Sequence, residues 1–192
     1  MKKGTFKKAA WRSAVVIIIL AASICIGFLV EGGLTLLDEK NYPQEYAEYV
    51  SEYSALYGVP EYIVYAAIKT ESGFDSSLLS SSGTIGLMQI MPETFEMLTD
   101  LTGEAHETGM LYDPETNIKY GTYYLSYLYG IYERWGTVYA AYIVGVDIVN
   151  SWLENAEYST DGVNLTYIPY DETRELVSDL ENAAEMYEKL YY

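Results

Sequence analysis

After Pro43, apolar side chains recur at helical spacing through most of the chain, and turn-forming residues cut the pattern into segments. Helices are expected over 43–57, closed by Gly58, and over 60–72. The stretch 73–85 is rich in Ser and Gly and reads as a loop, with a short helix expected at 86–90. Pro92 opens a helix running to about Thr102, and 103–113 is a loop. Asp113-Pro114 is a capping residue followed by a first-position proline, and the helix they start should reach about Trp135. Two further helices, 137–144 and 147–155, are parted at Gly145, and a last one follows Pro169 over 171–190. No alternating run is long enough for a strand, and no internal repeat is present. The expected fold class is mainly α, one domain over 43–192.

The first 42 residues follow a different pattern. Ala14 to Val30 is a run of 17 residues with only Ser23 and Cys25 as weakly polar members. As a helix it would extend roughly 25 Å, just short of a hydrocarbon core of about 30 Å, with Ser13 and Trp11 beside it to make up the difference. A transmembrane signal anchor is expected at 13–30, a basic cytoplasmic end at 1–12 and a linker at 31–42, placing the domain outside the cell at the membrane. A cleaved signal peptide is the open alternative, although Glu31-Gly32-Gly33-Leu34 is a poor cleavage site.

Charge separates the same two parts. Of 192 residues 11 are basic and 28 acidic, a net −17. Lys2, Lys3, Lys7, Lys8 and Arg12 all precede Val30 and no acid does, which leaves 6 basic against 28 acidic residues, a net −22, for the remainder. Such a body offers no footprint for nucleic acid and is repelled by anionic bilayers, so the N-terminus is the expected membrane contact. Cys25 is the one cysteine, so the outer part has neither disulfide nor thiolate chemistry. His106, the one histidine, cannot make a metal site alone, and no metal or cofactor is expected.

Candidate chemistry centres on Glu71. Val64, Ala67 and Ile68 mark the apolar stripe of the 60–72 helix, and Glu71 falls three places after Ile68 and seven after Val64. A carboxyl on that stripe is poorly solvated, so its proton is held to higher pH, as a donor to a glycosidic oxygen requires. Position alone leaves open the alternative of a helix-end carboxylate with its head group in water. Asp75, Glu93 and Glu96 read as solvated surface charges, and Tyr120, Tyr123, Tyr124, Tyr127 and Tyr132 as packing. Gly83 and Gly86 allow tight turning and close approach of backbone to a ligand.

Four motifs then occur in one order: Glu71-Ser72 with Gly83 to Pro92 (GTIGLMQIMP); Asp113 to Ile118 (DPETNI) with Gly121; Ala140-Ala141-Tyr142; and Ile168-Pro169-Tyr170 before Glu172-Thr173-Arg174. Together they resemble the catalytic domain of the soluble lytic transglycosylases, relatives of goose-type lysozyme, over about residues 45–185. The resemblance implies a lysozyme-like fold that acts on peptidoglycan glycan strands. It implies cleavage of the β-1,4 bond between N-acetylmuramic acid and N-acetylglucosamine, with a 1,6-anhydro ring left behind. Glu71 would protonate the leaving oxygen and then, as carboxylate, deprotonate the C6 hydroxyl that attacks internally, so one carboxyl suffices. It further implies that Ser80, Gln89, Met91 and Thr94 line the groove, with Ser72 supporting the site. The Tyr142 hydroxyl would bond the catalytic carboxyl, and Glu172 would stand near the groove end, placed for the peptide stem. Met88 is expected in the core; Met91 remains open between groove and core.

One departure stands out. Ile143 and Val144 occupy positions where the family usually has Asn and Ala, which removes an amide beside the site. A non-catalytic peptidoglycan-binding or scaffold module, working with other cell-wall enzymes, therefore stays open, as does a lysozyme-like hydrolase.

Overall fold

The computed structural model describes residues 23, 25–27, 37–104 and 107–192. Residues 44–192 form one compact unit built from α1 (Ala47–Tyr57), α2 (Glu61–Ser72), α3 (Pro92–Thr102), a 3-10 turn (Thr108–Tyr112), α4 (Pro114–Tyr132), α5 (Trp135–Val144), α6 (Val146–Leu153) and α7 (Asp171–Tyr191).

Local rules account for most of the boundaries. Pro92 and Pro114 open α3 and α4 at positions that need no backbone N–H, and Asp113 caps α4 by accepting from the Thr116 N–H at 2.9 Å. Gly58, Gly73 and Gly103 end α1, α2 and α3 in the left-handed conformation. Four expectations need correction. The first helix starts at Ala47 rather than at 43, because Tyr46 itself sits at φ 58° and cannot belong to a right-handed helix. The fifth expected helix stops at Tyr132: Glu133 turns left-handed at φ 55°, so Trp135 begins α5 and packs at a tilt against Tyr129, ring centres 4.6 Å apart. No helix forms at 86–90, as the next section details. Within the expected linker, residues 37–41 are helical.

Helix α2 is the central element. Ile63 through Ile68 are all buried, so it is covered on every side along that stretch. It packs against α1 and α7, α1 packs on α4, and α5 joins α4, α6 and α7. Tyr65 of α2 and Tyr187 of α7, both fully buried, stack at 5.3 Å and fix the helix that carries Glu71.

No helix among the described residues is long and apolar enough to cross a membrane. The run expected to do so, 14–30, lies outside the described residues except for 23 and 25–27, and 1–12 and His106 lie outside them altogether.

Candidate active site

Glu71 occupies the last turn of α2, where Ser72 ties that turn to the loop beyond it. Ser72 Oγ lies 2.7 Å from the Leu87 carbonyl and 3.1 Å from that of Ile68. The loop itself is a closed turn. Ile85 and Ile90 exchange backbone hydrogen bonds at 3.0 and 3.1 Å, and Gly86 and Gln89 between them take φ of 80° and 48°. Two left-handed residues in a span of four exclude the helix expected there.

Asn117 of α4 holds this turn from beneath. Fully buried, it donates from Nδ2 to the carbonyls of Ile85 (2.9 Å) and Leu111 (2.8 Å), and Oδ1 accepts from the Met88 N–H at 2.7 Å. The fit leaves no room: a Cβ on Gly86 would lie 2.3 Å from Asn117 Nδ2, and one on Gly121 would lie 2.3 Å from Met88 Sδ. Met88 is a core residue, as expected.

Above the turn opens a cavity of about 940 Å³. Glu71, Ser80, Gln89, Met91, Thr94, Tyr142 and Glu172 all line it. Met91 is half-buried, which places it on the groove wall. Ser72 stands behind that wall rather than in it. Ile143 and Val144 also face the cavity, so the departure from the family pattern lies in its lining. Asp75, Glu93 and Glu96 are exposed and outside it. Asp75 is held below the usual carboxylate range by hydrogen bonds from the Ser77 side chain and backbone.

Glu71 keeps part of its surface open to the cavity, yet burial pushes its carboxyl up to about 7, and burial is the whole cause. Two expected contacts differ. The Tyr142 hydroxyl donates to the Met88 carbonyl at 2.7 Å instead of bonding Glu71, though it is close enough for the Glu71 charge, after burial, to raise its pKa further. Gln89 spends both amide N–H groups on backbone carbonyls, Gly86 O within the turn (2.7 Å) and Leu78 O in the loop before it (3.2 Å). Its Oε1 accepts from Thr84 Oγ1 at 2.7 Å and keeps the only capacity toward a ligand.

Thr84, Tyr124 and Tyr170 join the lining unforeseen. Tyr124, read as packing, does pack, with its ring 5.2 Å from Tyr142, but it also faces the cavity. Asn117, Gly121 and Tyr124 follow one another at i, i+4, i+7, so the face of α4 toward the turn was legible in their spacing. Among the described residues no three His, Cys, Asp or Glu side chains converge as a metal centre would need.

The model of the transglycosylase SLT domain matches residues 48–163. A soluble lytic murein transglycosylase of Escherichia coli (strain K12) is 33% identical over 150 residues, taking in 74% of this chain and 23% of that protein. This chain belongs to the SLT domain family. A membrane-bound lytic murein transglycosylase C of Yersinia pestis (strain Pestoides F) is 37% identical over 91 residues, 46% of this chain and 25% of that protein. Among solved structures, the 70 kDa soluble lytic transglycosylase from Escherichia coli matches with a TM-score of 0.71 at 28% identity, covering 79% of this chain and 25% of that one. An inactive mutant of lytic transglycosylase Slt from Pseudomonas aeruginosa gives 0.67 at 26%, covering 78% and 25%. The SLT domain described here thus spans about a quarter of the length of these relatives, and its mainly helical, lysozyme-like architecture is the one expected from the sequence.

Proposed function

We propose that the chain is a peptidoglycan lytic transglycosylase with Glu71 as its single acid–base residue. The observation that carries this reading is the burial of the Glu71 carboxyl, which pushes it up to about 7, in the wall of a cavity large enough for sugar rings. Near neutral pH such a group is partly protonated, so it can give a proton and take one back. Glu71 hands its proton to the glycosidic oxygen as the bond to the anomeric carbon breaks. The resulting carboxylate takes the C6 hydroxyl proton while that oxygen attacks the same carbon. A 1,6-anhydro ring closes, no water is consumed, and Glu71 ends protonated. The cavity's other carboxylates, Asp171 and Glu172, are exposed at the first turn of α7, and Asp171 is paired with Arg174. A mechanism with an internal nucleophile needs neither. Ser80, Met91 and Thr94 would line the glycan path with Gln89 Oε1, while Ser72 and Tyr142 brace the turn against Glu71.

The test uses the full chain in detergent on purified cell wall, with products read by mass spectrometry. Anhydro-ended muropeptides are expected, and Glu71→Gln should lower their release by about 10²–10⁴-fold while leaving the circular dichroism unchanged. Reducing-ended products instead would assign hydrolysis by water. A second reading, a binding module, is favoured by the apolar Ile143 and Val144 in the lining. Tight wall binding without product, equal in wild type and Glu71→Gln, would establish it.

Residues 13–30 serve, in this proposal, as a single-pass anchor with 1–12 in the cytoplasm. The full chain should then stay in the membrane pellet after an alkaline carbonate wash. Recovery in the supernatant, with the N-terminus removed, would mean a cleaved signal instead.

A further inference from the structure

On the other side of the 168–174 stretch from the Glu71 cavity lies a second one of about 380 Å³, between the start of α5 and α7. It falls within the size range of small-ligand pockets. Its lining is unusual for so acidic a chain. Arg134 and Arg174, the only arginines after residue 12, both face it, together with Glu181. Arg174 is already committed, to the Ile168 carbonyl at 2.7 Å, to Asp171, and to the Tyr167 ring 5.1 Å away. Arg134 is not: among the described residues its guanidinium makes one hydrogen bond, to the carbonyl of its own neighbour, Glu133, at 3.3 Å.

Glu181 is equally uncommitted. It is exposed and makes no ion pair among the described residues, and partial burial raises its carboxyl. Gly136 allows α5 to approach it, since a Cβ there would lie 3.0 Å from Glu181 Oε1. The nearby Tyr139 hydroxyl, which feels the Glu181 charge, is buried without a hydrogen-bond partner among the described residues. Opposite charges thus share one cavity without pairing, and Trp135 and Val177 line the space with apolar surface. Both side chains reach solvent, so a ligand with an acceptor anion at one end and a donor cation at the other can meet both by displacing water. A carboxylate is repelled by the acidic surface elsewhere, which makes the Arg134 wall selective for it.

We propose that this cavity is a second binding site, for a short peptide with free ammonium and carboxylate ends: the carboxylate meets Arg134, the ammonium meets Glu181, and the chain between them lies over Trp135.

Calorimetric titration of the full chain with triglycine tests it. Saturable binding is expected, weakened about tenfold or more for N-acetyl-triglycine and for triglycine amide, each of which lacks one charge. Arg134→Gln and Glu181→Gln should weaken triglycine binding by a similar factor, whereas Glu71→Gln should bind as wild type. No binding by wild type, or equal binding of the three probes, overturns the proposal. Cell-wall digestion separates the two sources of such a peptide. If stems attached to glycan supply it, with a side-chain amine as the ammonium because their first amino group is acylated by the sugar, Arg134→Gln slows release from intact wall but not from wall stripped of its peptides by an amidase. If free peptide supplies it, the variant digests both as wild type does. This digestion arm rests on the activity proposed above; the titration does not, so failure of one leaves the other readable.

Discussion

At the scale of one residue, Glu71 couples stability to pH. Its carboxyl is raised from an ordinary 4.5 to about 7 by burial, so the folded chain binds that proton more tightly than the unfolded chain. The stabilisation is fully present below about pH 4.5 and is lost as pH rises toward 7, amounting to at most roughly 3 kcal/mol. Glu71→Gln, which cannot ionise, should therefore match wild type at pH 4 and exceed it in Tm at pH 8. Equal Tm values at both pH values would mean the carboxyl is well solvated, and the acid–base reading would fall with it. Tyr142 and Gln89 show the same scale from the other direction. Each reaches the cavity, but each donates to backbone carbonyls, Tyr142 to Met88 and Gln89 to Gly86 and Leu78, so both hold the loop next to the carboxyl.

At the scale of elements, what matters is how α2, α4 and the 85–90 turn are fastened together. Asn117 makes three buried hydrogen bonds with that turn and with Leu111, while Asp113, four residues earlier, only caps an exposed helix end. Removing each side chain should cost differently. Asn117→Ala leaves the Leu111 carbonyl and the Met88 N–H without that partner, while the Ile85 carbonyl keeps the Ile90 N–H, a loss of about 2–4 kcal/mol against about 1 kcal/mol for Asp113→Ala. Urea unfolding of the two variants gives the comparison, and similar losses would contradict the fastening role. Helix boundaries were readable here because Pro at a first position and Gly at a C-terminus act through local sterics. The 86–89 turn was not readable, since Gly-Leu-Met-Gln is compatible with a helical turn, and only the exchange between Ile85 and Ile90, with Asn117 beneath, selects left-handed backbone.

At the scale of the whole molecule, charge dominates. A net −17 means self-repulsion that screening relieves, even with Lys119 paired to Glu104 and Arg174 to Asp171. Raising NaCl from about 0.01 to about 0.5 M should lift Tm by roughly 2–4 °C, the shift expected for about 1 kcal/mol in a chain of this size. A Tm that stays flat or falls would show the acids to be spaced beyond mutual influence. The sequence by itself determined the helical class, most helix ends, the family and a carboxyl set on an apolar stripe, because periodicity and turn sterics act within a few residues. Only the tertiary structure decided that Tyr142 turns to Met88, that Gln89 faces inward, that Tyr124 joins the cavity and that Arg134 and Glu181 share another. Those outcomes depend on which carbonyls, rings and charges far apart in the chain arrive within reach of one another, and no local pattern encodes that competition.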